Sequence, residues 1–465
     1  MRQARSDGSG QGELFPRSRQ TMIVVDENHR LIRLTETIDW TELVGRAESI
    51  RQGKVKSPAG RPPHLRTLLG ALVLIAIRRM TYREAEDQIR YYAPARYLCA
   101  LTETDWTPDF TTIQDFAEQM GEDGVRRLNE YVVQVAVDQK LADPSLAVAD
   151  RTAQEAAVPH PNEMGLMARF FGSVATLGRR AGAAVRGLLK TAAGKFKAAK
   201  RKLREYRLGA RRRSKAAKGR LVAQMATIAD EVCSALGESL AASERWASRL
   251  HGHGVDARRK LVALQSTMSK LLPQIRYWLR TGRVAAGKII NLYVPELYAM
   301  VRGKVGKTVE FGLSWGLCRL RGGFLLATLA RQPSERSDAD FALRAVRDLA
   351  ALFGRPPEAY AYDRAGYSAK NVATLRRFGV RQVGLAPRGA CPWPVSGRVR
   401  RNLVHERALI EAGIGTLKSS RYGFNRPAAR SFEMMGACGQ RAVLGFNLNK
   451  LVRGLAAKSG QVLVG

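Results

Sequence analysis

The sequence is poor in the residues that build thiolate metal sites, disulfide frameworks and membrane spans. Its five cysteines lie far apart and form no CxxC pair, which argues against a zinc ribbon or a disulfide framework. The longest apolar run, residues 67–77, has 11 residues, whereas a membrane-spanning helix needs about 20. The first 20 residues are polar and lack the apolar segment of a signal peptide. We therefore expect a cytoplasmic chain with no membrane partner.

Acidic residues are also scarce relative to basic ones. The chain of 465 residues has 77 Lys and Arg against 41 Asp and Glu, a formal net charge of +36. Hydrophobic residues make up 45% of it, which is ample for folded cores and excludes wholesale disorder. Such a positive charge opposes compaction unless a polyanion neutralises it, and nucleic acid is the commonest polyanion in a cell. Composition therefore indicates a protein of two to four domains that binds nucleic acid.

Nearly half of this positive charge is concentrated in residues 166–220. This block has 18 Lys and Arg and one acid, Glu205. A solvated basic face would explain the block, and so would a surface that follows DNA phosphates; the density of charge favours the second. The DNA contacts predicted here are Lys200, Arg201, Lys202, Arg211, Arg212 and Arg213.

The first third of the chain is predicted to be mainly helical. Residues 22–34 suggest a small hairpin, and Asp39 can cap a helix that follows it. Apolar residues at helical spacing and a capping box at residues 81–84 predict about four helices over residues 65–141. This segment fits a helix-turn-helix-like DNA-binding domain and a plain packing domain about equally well.

The last third alternates between strands and helices, which indicates a mixed α/β sheet and an α+β fold class. A strand over residues 145–150 precedes the basic block. Apolar periodicity predicts long amphipathic helices over residues 221–285. The predicted segments are a disordered tail (1–20), a hairpin, helix and linker (21–64), the helical DNA-binding domain (65–141), the first part of a catalytic domain (142–165), a basic helical insertion (166–290) and the remainder of the catalytic domain (291–455).

Two predicted strands end on an aspartate, Asp150 and Asp363. If these strands are neighbours, their carboxylates converge. A third acid, Glu411, lies on a predicted helix. At about 100° per residue, Arg407, Glu411 and Lys418 project from one face of that helix. An acid between two cations suits a metal-bound phosphodiester, and it equally suits an exposed helix with i,i+4 pairing.

Four blocks of the sequence resemble the DDE transposases of bacterial insertion sequences. Residues 363–368 resemble the block around their second catalytic aspartate. Arg407, Glu411 and Lys418 match the R, E and K of their Y-R-E-K signature in spacing, and Val404 stands at its Tyr position. Residues 301–312 are similar to the strand-entry block between the first and second catalytic aspartates of these enzymes. Residues 67–115 are similar to their helical N-terminal domain.

This resemblance implies an RNase H-like core in which Asp150, Asp363 and Glu411 coordinate two Mg²⁺ ions, with Mn²⁺ able to substitute. It implies cleavage and strand transfer on double-stranded DNA, at the element ends and the target, by a nucleoid-associated homodimer or larger oligomer. Arg364 and Tyr367 would support the site or contact DNA. Arg151 would point away from the metal ions, because side chains alternate along a strand.

Two alternatives to a transposase remain open on the sequence alone. A non-catalytic, decayed DNA-binding protein would keep the positive charge without the chemistry. A nuclease with the same three acids would cut DNA without joining the cut ends to a target.

Overall fold

The computed structural model describes residues 26–52, 64–102, 106–158, 161–208, 214–244, 250, 252–304, 307–387, 389, 393 and 395–460, without the side chains of residue 184 and residues 301–308. The predicted tail over residues 1–20, most of the linker and Arg211, Arg212 and Arg213 lie outside the described residues. The fold is mixed α+β with a helical N-terminal part, as the sequence predicts.

The described elements follow the chain order of a helical segment, a first strand, a second helical segment and a strand-rich segment. The helices are α1 (Arg30–Thr37), α2 (Trp40–Gln52), α3 (Leu65–Arg78), α4 (Tyr82–Tyr91), α5 (Ala93–Leu98), α6 (Phe110–Asp138), α7 (Glu163–Gly178), α8 (Ala183–Thr191), α9 (Ala193–Leu208), α10 (Lys215–Ala242), α11 (His253–Thr281), α12 (Asp338–Phe353), α13 (Ala369–Arg377), α14 (Gly397–Lys418) and α15 (Phe432–Ser459). The strands are β1 (Asp143–Glu155), β2 (Tyr298–Lys304), β3 (Lys307–Arg321), β4 (Leu325–Leu329), β5 (Ala359–Tyr362) and β6 (Gln382–Leu385).

The six strands form one mixed sheet. Five of them lie in the order β2-β3-β1-β5-β6, and β4 pairs with β3 outside this order. The long strand β3 pairs antiparallel with β1 on one side, and with β2 and then β4 on the other. Strand β5 is parallel to β1, and β6 is parallel to β5. The carboxyl ends of β1, β5 and β6 therefore point to the same edge of the sheet.

The N-terminal helices confirm several of the local predictions. Thr81 and Glu84 form the predicted capping box of α4, and the Asp39 carboxylate accepts the Thr41 and Glu42 N–H groups at the start of α2. Helix α6 begins at Phe110 and is capped by Asp109. The four helices predicted over residues 65–141 are α3 to α6.

The hairpin predicted over residues 22–34 is wrong in its second half, because residues 30–37 form helix α1. Residues 22–25, its first half, lie outside the described residues. A short apolar run can be read as a strand or a helix, and tertiary packing decides between them. Here Leu31, Ile32 and Leu34 are buried, and the His29 side chain caps the helix by accepting the Leu31 N–H.

The N-terminal helices and the sheet share one hydrophobic core. Side chains of α1, α3 and α6 pack in the same cluster as Ala147 and Ala149 of β1 and Tyr360 and Tyr362 on β5. Helix α15 completes this cluster with Leu444, among others. The N-terminal helices thus support one face of the sheet directly.

Helices α7 to α11 follow β1 and precede β2, and they have a hydrophobic core of their own. The two longest, α10 and α11, match the amphipathic helices predicted over residues 221–285 and turn near Gly252. This insertion carries the basic block of residues 166–220.

Helix α15 passes unusually close to α3. An added Cβ on Gly445 would lie 2.1 Å from the carbonyl oxygen of Ala76, closer than any side chain can approach. Gly445→Ala should therefore force α15 and α3 apart and destabilise the chain by about 2 kcal/mol, although alanine is the better helix former. Thermal unfolding of the purified variant measures this loss.

Gly172→Ala on α7 is the matched control, because a Cβ there meets no atom within 4 Å. It should leave the melting temperature unchanged or raise it slightly. A Gly445→Ala variant as stable as the wild type would contradict the close packing of α15 on α3.

Candidate functional site

Asp150 and Asp363 stand at equivalent positions of two neighbouring parallel strands. Strand β1 pairs with β5 through Leu146 with Ala359 and Val148 with Ala361. The same register continued by two residues places Asp150 beside Asp363, which directly follows β5. Side chains two residues apart share a face of a strand, so both carboxylates lie on the face that carries these four apolar residues.

The predicted end of strand β1 is wrong. Strand β1 was predicted to end at Asp150, but it continues to Glu155, because residues 150–155 still pair with β3. Asp150 is therefore held by strand pairing on its β3 side and borders the end of β5 on the other.

Helix α14 covers this face and brings the third acid. Leu403 and Ile410 pack against Leu146 and Val148 of β1 and against the alanines of β5. One residue after Ile410, Glu411 projects away from the apolar seam, and 63% of its side chain is exposed. The helix that the sequence predicts around Glu411 begins at Gly397 and ends at Lys418.

Arg407 connects two of the acids. Its Nη2 lies 3.0 Å from Asp363 Oδ1 and 3.6 Å from Glu411 Oε1. Helix α14 is also tied to the sheet by an ion pair between Arg319 of β3 and Glu406, whose side chains are largely buried. No sequence pattern singled out Arg319 or Glu406; the pair follows only from the crossing of α14 over β3.

The charges of Asp363 and Glu411 both affect the pKa of Asp150. The pKa of Asp150 is raised to about 6, chiefly by burial and in addition by the nearby charges of Asp363 and Glu411. The hydrogen bond from the Arg151 N–H and the charge of Arg407 oppose this rise. Asp150 Oδ1 accepts a hydrogen bond from the Arg151 N–H at 2.7 Å. A half-buried carboxylate beside two others is a place where a cation is favourable.

Arg151 points to the opposite face of the sheet, as expected from strand alternation. Its Nε lies 3.3 Å from Asp338 Oδ1 at the start of α12. The Tyr362 hydroxyl donates to the same oxygen at 2.9 Å. Arg151 therefore supports the packing of α12 and stays away from Asp150.

The other predicted residues lie at different distances from the acids along the fold. Arg364 is exposed in the 3₁₀ turn Arg364–Gly366, and its N–H donates to Asp363 Oδ1 at 2.6 Å. Tyr367 packs against the large core of the sheet. Lys418 is the last residue of α14, almost two turns beyond Glu411, and Val404 on the same helix is exposed.

The basic residues predicted on the insertion separate into two groups. Lys200 and Arg201 are exposed on α9, whereas Lys202 is half-buried and pairs with Glu205 at 3.5 Å. Apart from Lys195, which pairs with Glu231 of α10, the exposed cations of α9 recur three or four residues apart and so share one face. They are Lys197, Lys200, Arg201, Arg204 and Arg207.

The acids could hold a metal only after a local rearrangement. Within the described part of the chain, no three His, Cys, Asp or Glu side chains are close enough together to hold a metal ion. The donor set of Asp150, Asp363 and Glu411 nevertheless fits Mg²⁺, which prefers carboxylate oxygens. Glu411 is exposed, and its contact with Arg407 is between side chains. Both side chains can therefore change rotamer without moving the backbone.

Comparison with known proteins identifies one family. Residues 20–119, about a fifth of the chain, match the family described as "Transposase domain (DUF772)". No curated protein and no solved structure matches the chain. In the described residues, no helix is long and apolar enough to cross a membrane. Residues 20–119 are therefore similar to a transposase domain, which supports an insertion-sequence transposase.

Proposed function

We propose that the chain catalyses Mg²⁺-dependent DNA cleavage and strand transfer at the ends of an insertion sequence. The observation that carries this proposal is the placement of Asp150 and Asp363 at equivalent positions of neighbouring parallel strands. Glu411 lies on the helix that covers the same face. The transposase domain over residues 20–119 supplies independent support for a role in transposition.

The strand arrangement supports an RNase H-like core. Such a sheet has three antiparallel strands followed by two parallel ones, and here β4, β3 and β1 are antiparallel while β5 and β6 run parallel to β1. The helical insertion lies between the first strand and the next. Resemblance to the DDE family and strand order thus favour the same core.

In this proposal Asp150, Asp363 and Glu411 hold the metal ions. Mg²⁺ held by these carboxylates would supply Lewis-acid activation of an attacking water or 3′-hydroxyl and charge stabilisation of the leaving oxygen. Asp150 and Asp363 fix their positions through the sheet, whereas Glu411 joins them by a change of rotamer. Arg407, released from Asp363 and Glu411, is then free to hold a DNA phosphate.

Double-stranded DNA is the proposed partner, both as element end and as target. The α9 cations face solvent in one row and suit contacts to successive phosphates. Arg364 is exposed beside Asp363 and suits a phosphate near the cleavage site. Because two ends must be cut and joined together, a homodimer or larger assembly on DNA is part of the proposal.

The test uses the purified chain and a supercoiled plasmid that carries both ends of the element. Mg²⁺ or Mn²⁺ should give cuts at the ends and products joined to target DNA, and EDTA should abolish both. Cuts without joined products would make the chain a nuclease. Binding without any cut would make it a non-catalytic DNA-binding protein, and either outcome overturns the proposal.

The α9 row makes a prediction for DNA affinity. The triple variant Lys200→Gln, Arg201→Gln, Arg204→Gln should bind all DNA sequences about tenfold more weakly, because phosphate contacts are lost. The slope of log affinity against log salt should fall by about 3, one for each contact. Fluorescence anisotropy with labelled duplexes over a salt series measures both quantities.

Lys202→Gln is the control on the same helix, since Lys202 already pairs with Glu205. It should change the affinity and the salt slope little. A shallow salt dependence of the wild type, or an equal loss in the control, would contradict the assignment of this face.

A further inference from the structure

A second basic site lies where α14, α15 and the turn between β3 and β4 meet. A cavity of about 420 Å³ opens there, within the size range of ligand sites. Lys450 and Arg453 of α15 and Arg421, which follows α14, line it. The described residues that line this cavity include no acid. We call this cavity, with its three lining cations, the α15 cavity.

More cations stand behind these three. Arg30 of α1 donates a hydrogen bond to the Asn449 side chain, which lines the α15 cavity. Burial lowers the pKa of Arg30, and the charges of Arg78, Arg421 and Arg453 lower it further. Like charges that surround a cavity repel one another, and a bound anion would relieve that repulsion.

Lys450, which also lines the cavity, has further cations as its charged neighbours. Burial lowers its pKa, and the nearby charges of Arg319 and Arg453 add to the effect. Arg319 forms an ion pair with Glu406 on α14, and this pair fixes the position of its side chain. Lys450 and Arg453 have no ion pair among those between the described residues.

We propose that the α15 cavity binds phosphate groups of a DNA backbone, as a site separate from the three acids and from the insertion. This inference rests on the proposed function, because it assigns the substrate DNA a second place of contact. Its geometry is a cavity that three cations from two chain segments line and that contains no acid among its described lining residues.

The arrangement of the cations favours a backbone over a single phosphate ion. Lys450 and Arg453 are three residues apart on one helix and project about 5–6 Å from each other. Arg421 approaches from a different segment, and its guanidinium lies 5.6 Å from the Tyr422 ring, which also lines the cavity. Several cations spread over a cavity with aromatic walls suit consecutive phosphates and the sugars between them.

The site is connected to the acids through α14. This helix carries Glu411 in its middle, and Thr416 near its end lines the α15 cavity. The cavity also reaches Leu141 and Gly322 near the start of β1, whereas Asp150 lies in the second half of that strand. DNA that contacts both places would run along α14, the helix that covers the face of the sheet with the acids.

The experiment measures binding of a labelled random-sequence duplex in EDTA, where no cleavage can occur. The triple variant Arg421→Gln, Lys450→Met, Arg453→Gln should bind about tenfold more weakly and lower the salt slope by about 3. Restoring the charge with Lys450→Arg in that background should recover part of the affinity. Lys458→Gln, an exposed residue farther along α15, is the control and should bind as the wild type does.

The source of the phosphate is tested with inorganic pyrophosphate in place of DNA, by thermal shift. If pyrophosphate stabilises the wild type but not the triple variant, and DNA affinity is unchanged, the site takes a free phosphate compound and the DNA assignment is overturned. Unchanged binding of both probes also overturns it. All of these measurements are made without cleavage. A chain that fails to cut DNA would therefore contradict the proposed function without affecting the test of the α15 cavity.

Discussion

Asp150→Asn, Asp363→Asn and Glu411→Gln should each lower the rate of Mg²⁺-dependent DNA cleavage by about a thousandfold or more. Each change keeps the size of the side chain and removes one negative oxygen ligand. Because the three acids come from β1, the end of β5 and α14, none can replace another. The rate is measured as nicking of end-containing DNA in single-turnover conditions.

DNA binding separates loss of chemistry from loss of the fold. All three variants should bind duplex DNA in EDTA nearly as well as the wild type, because the cations of α9 and the α15 cavity are untouched. Asp340→Asn is the control, an exposed carboxylate of α12 on the opposite side of the sheet. Cleavage at the wild-type rate in any one variant would remove that residue from the proposed site.

Much of the fold could be predicted from local signals. The capping box at Thr81 and the apolar spacing of α10 and α11 depend on neighbours along the chain, so the sequence reveals them. Helix α15 was not predicted, because it is buried on most sides and its apolar residues show no single face. The full length of β3 was also missed, since its pairing partners lie far away in the sequence.

The site was predicted by residue type and only partly by geometry. Spacing alone placed Arg407 and Glu411 on one face of a helix, and the register of β1 with β5 sets Asp150 beside Asp363. The pairing of Arg407 with Asp363 joins residues from two elements, and no local pattern contains it. The α15 cavity had one weak signal, four cations and no acid in the 32 residues after Glu433.

Asp150→Asn should also make the metal-free chain more stable at neutral and alkaline pH, although it removes activity. Burial raises the pKa of Asp150 from 3.8 to about 6. A carboxyl group with a raised folded pKa supports the fold fully below its unfolded pKa, and that contribution is lost as the pH rises through the folded value. Once Asp150 is ionised, the folded chain is about 3 kcal/mol less stable than with a neutral side chain.

Asparagine does not titrate, so the variant escapes this loss. The difference in stability between Asp150→Asn and the wild type should be smallest near pH 4 and grow by about 3 kcal/mol up to about pH 8. Melting temperatures of the wild type and of Asp150→Asn in EDTA across this pH range measure the difference. A constant difference at every pH would mean that Asp150 titrates normally. Added Mg²⁺ should then stabilise the wild type and not the variant, because only the wild type keeps the full set of carboxylates.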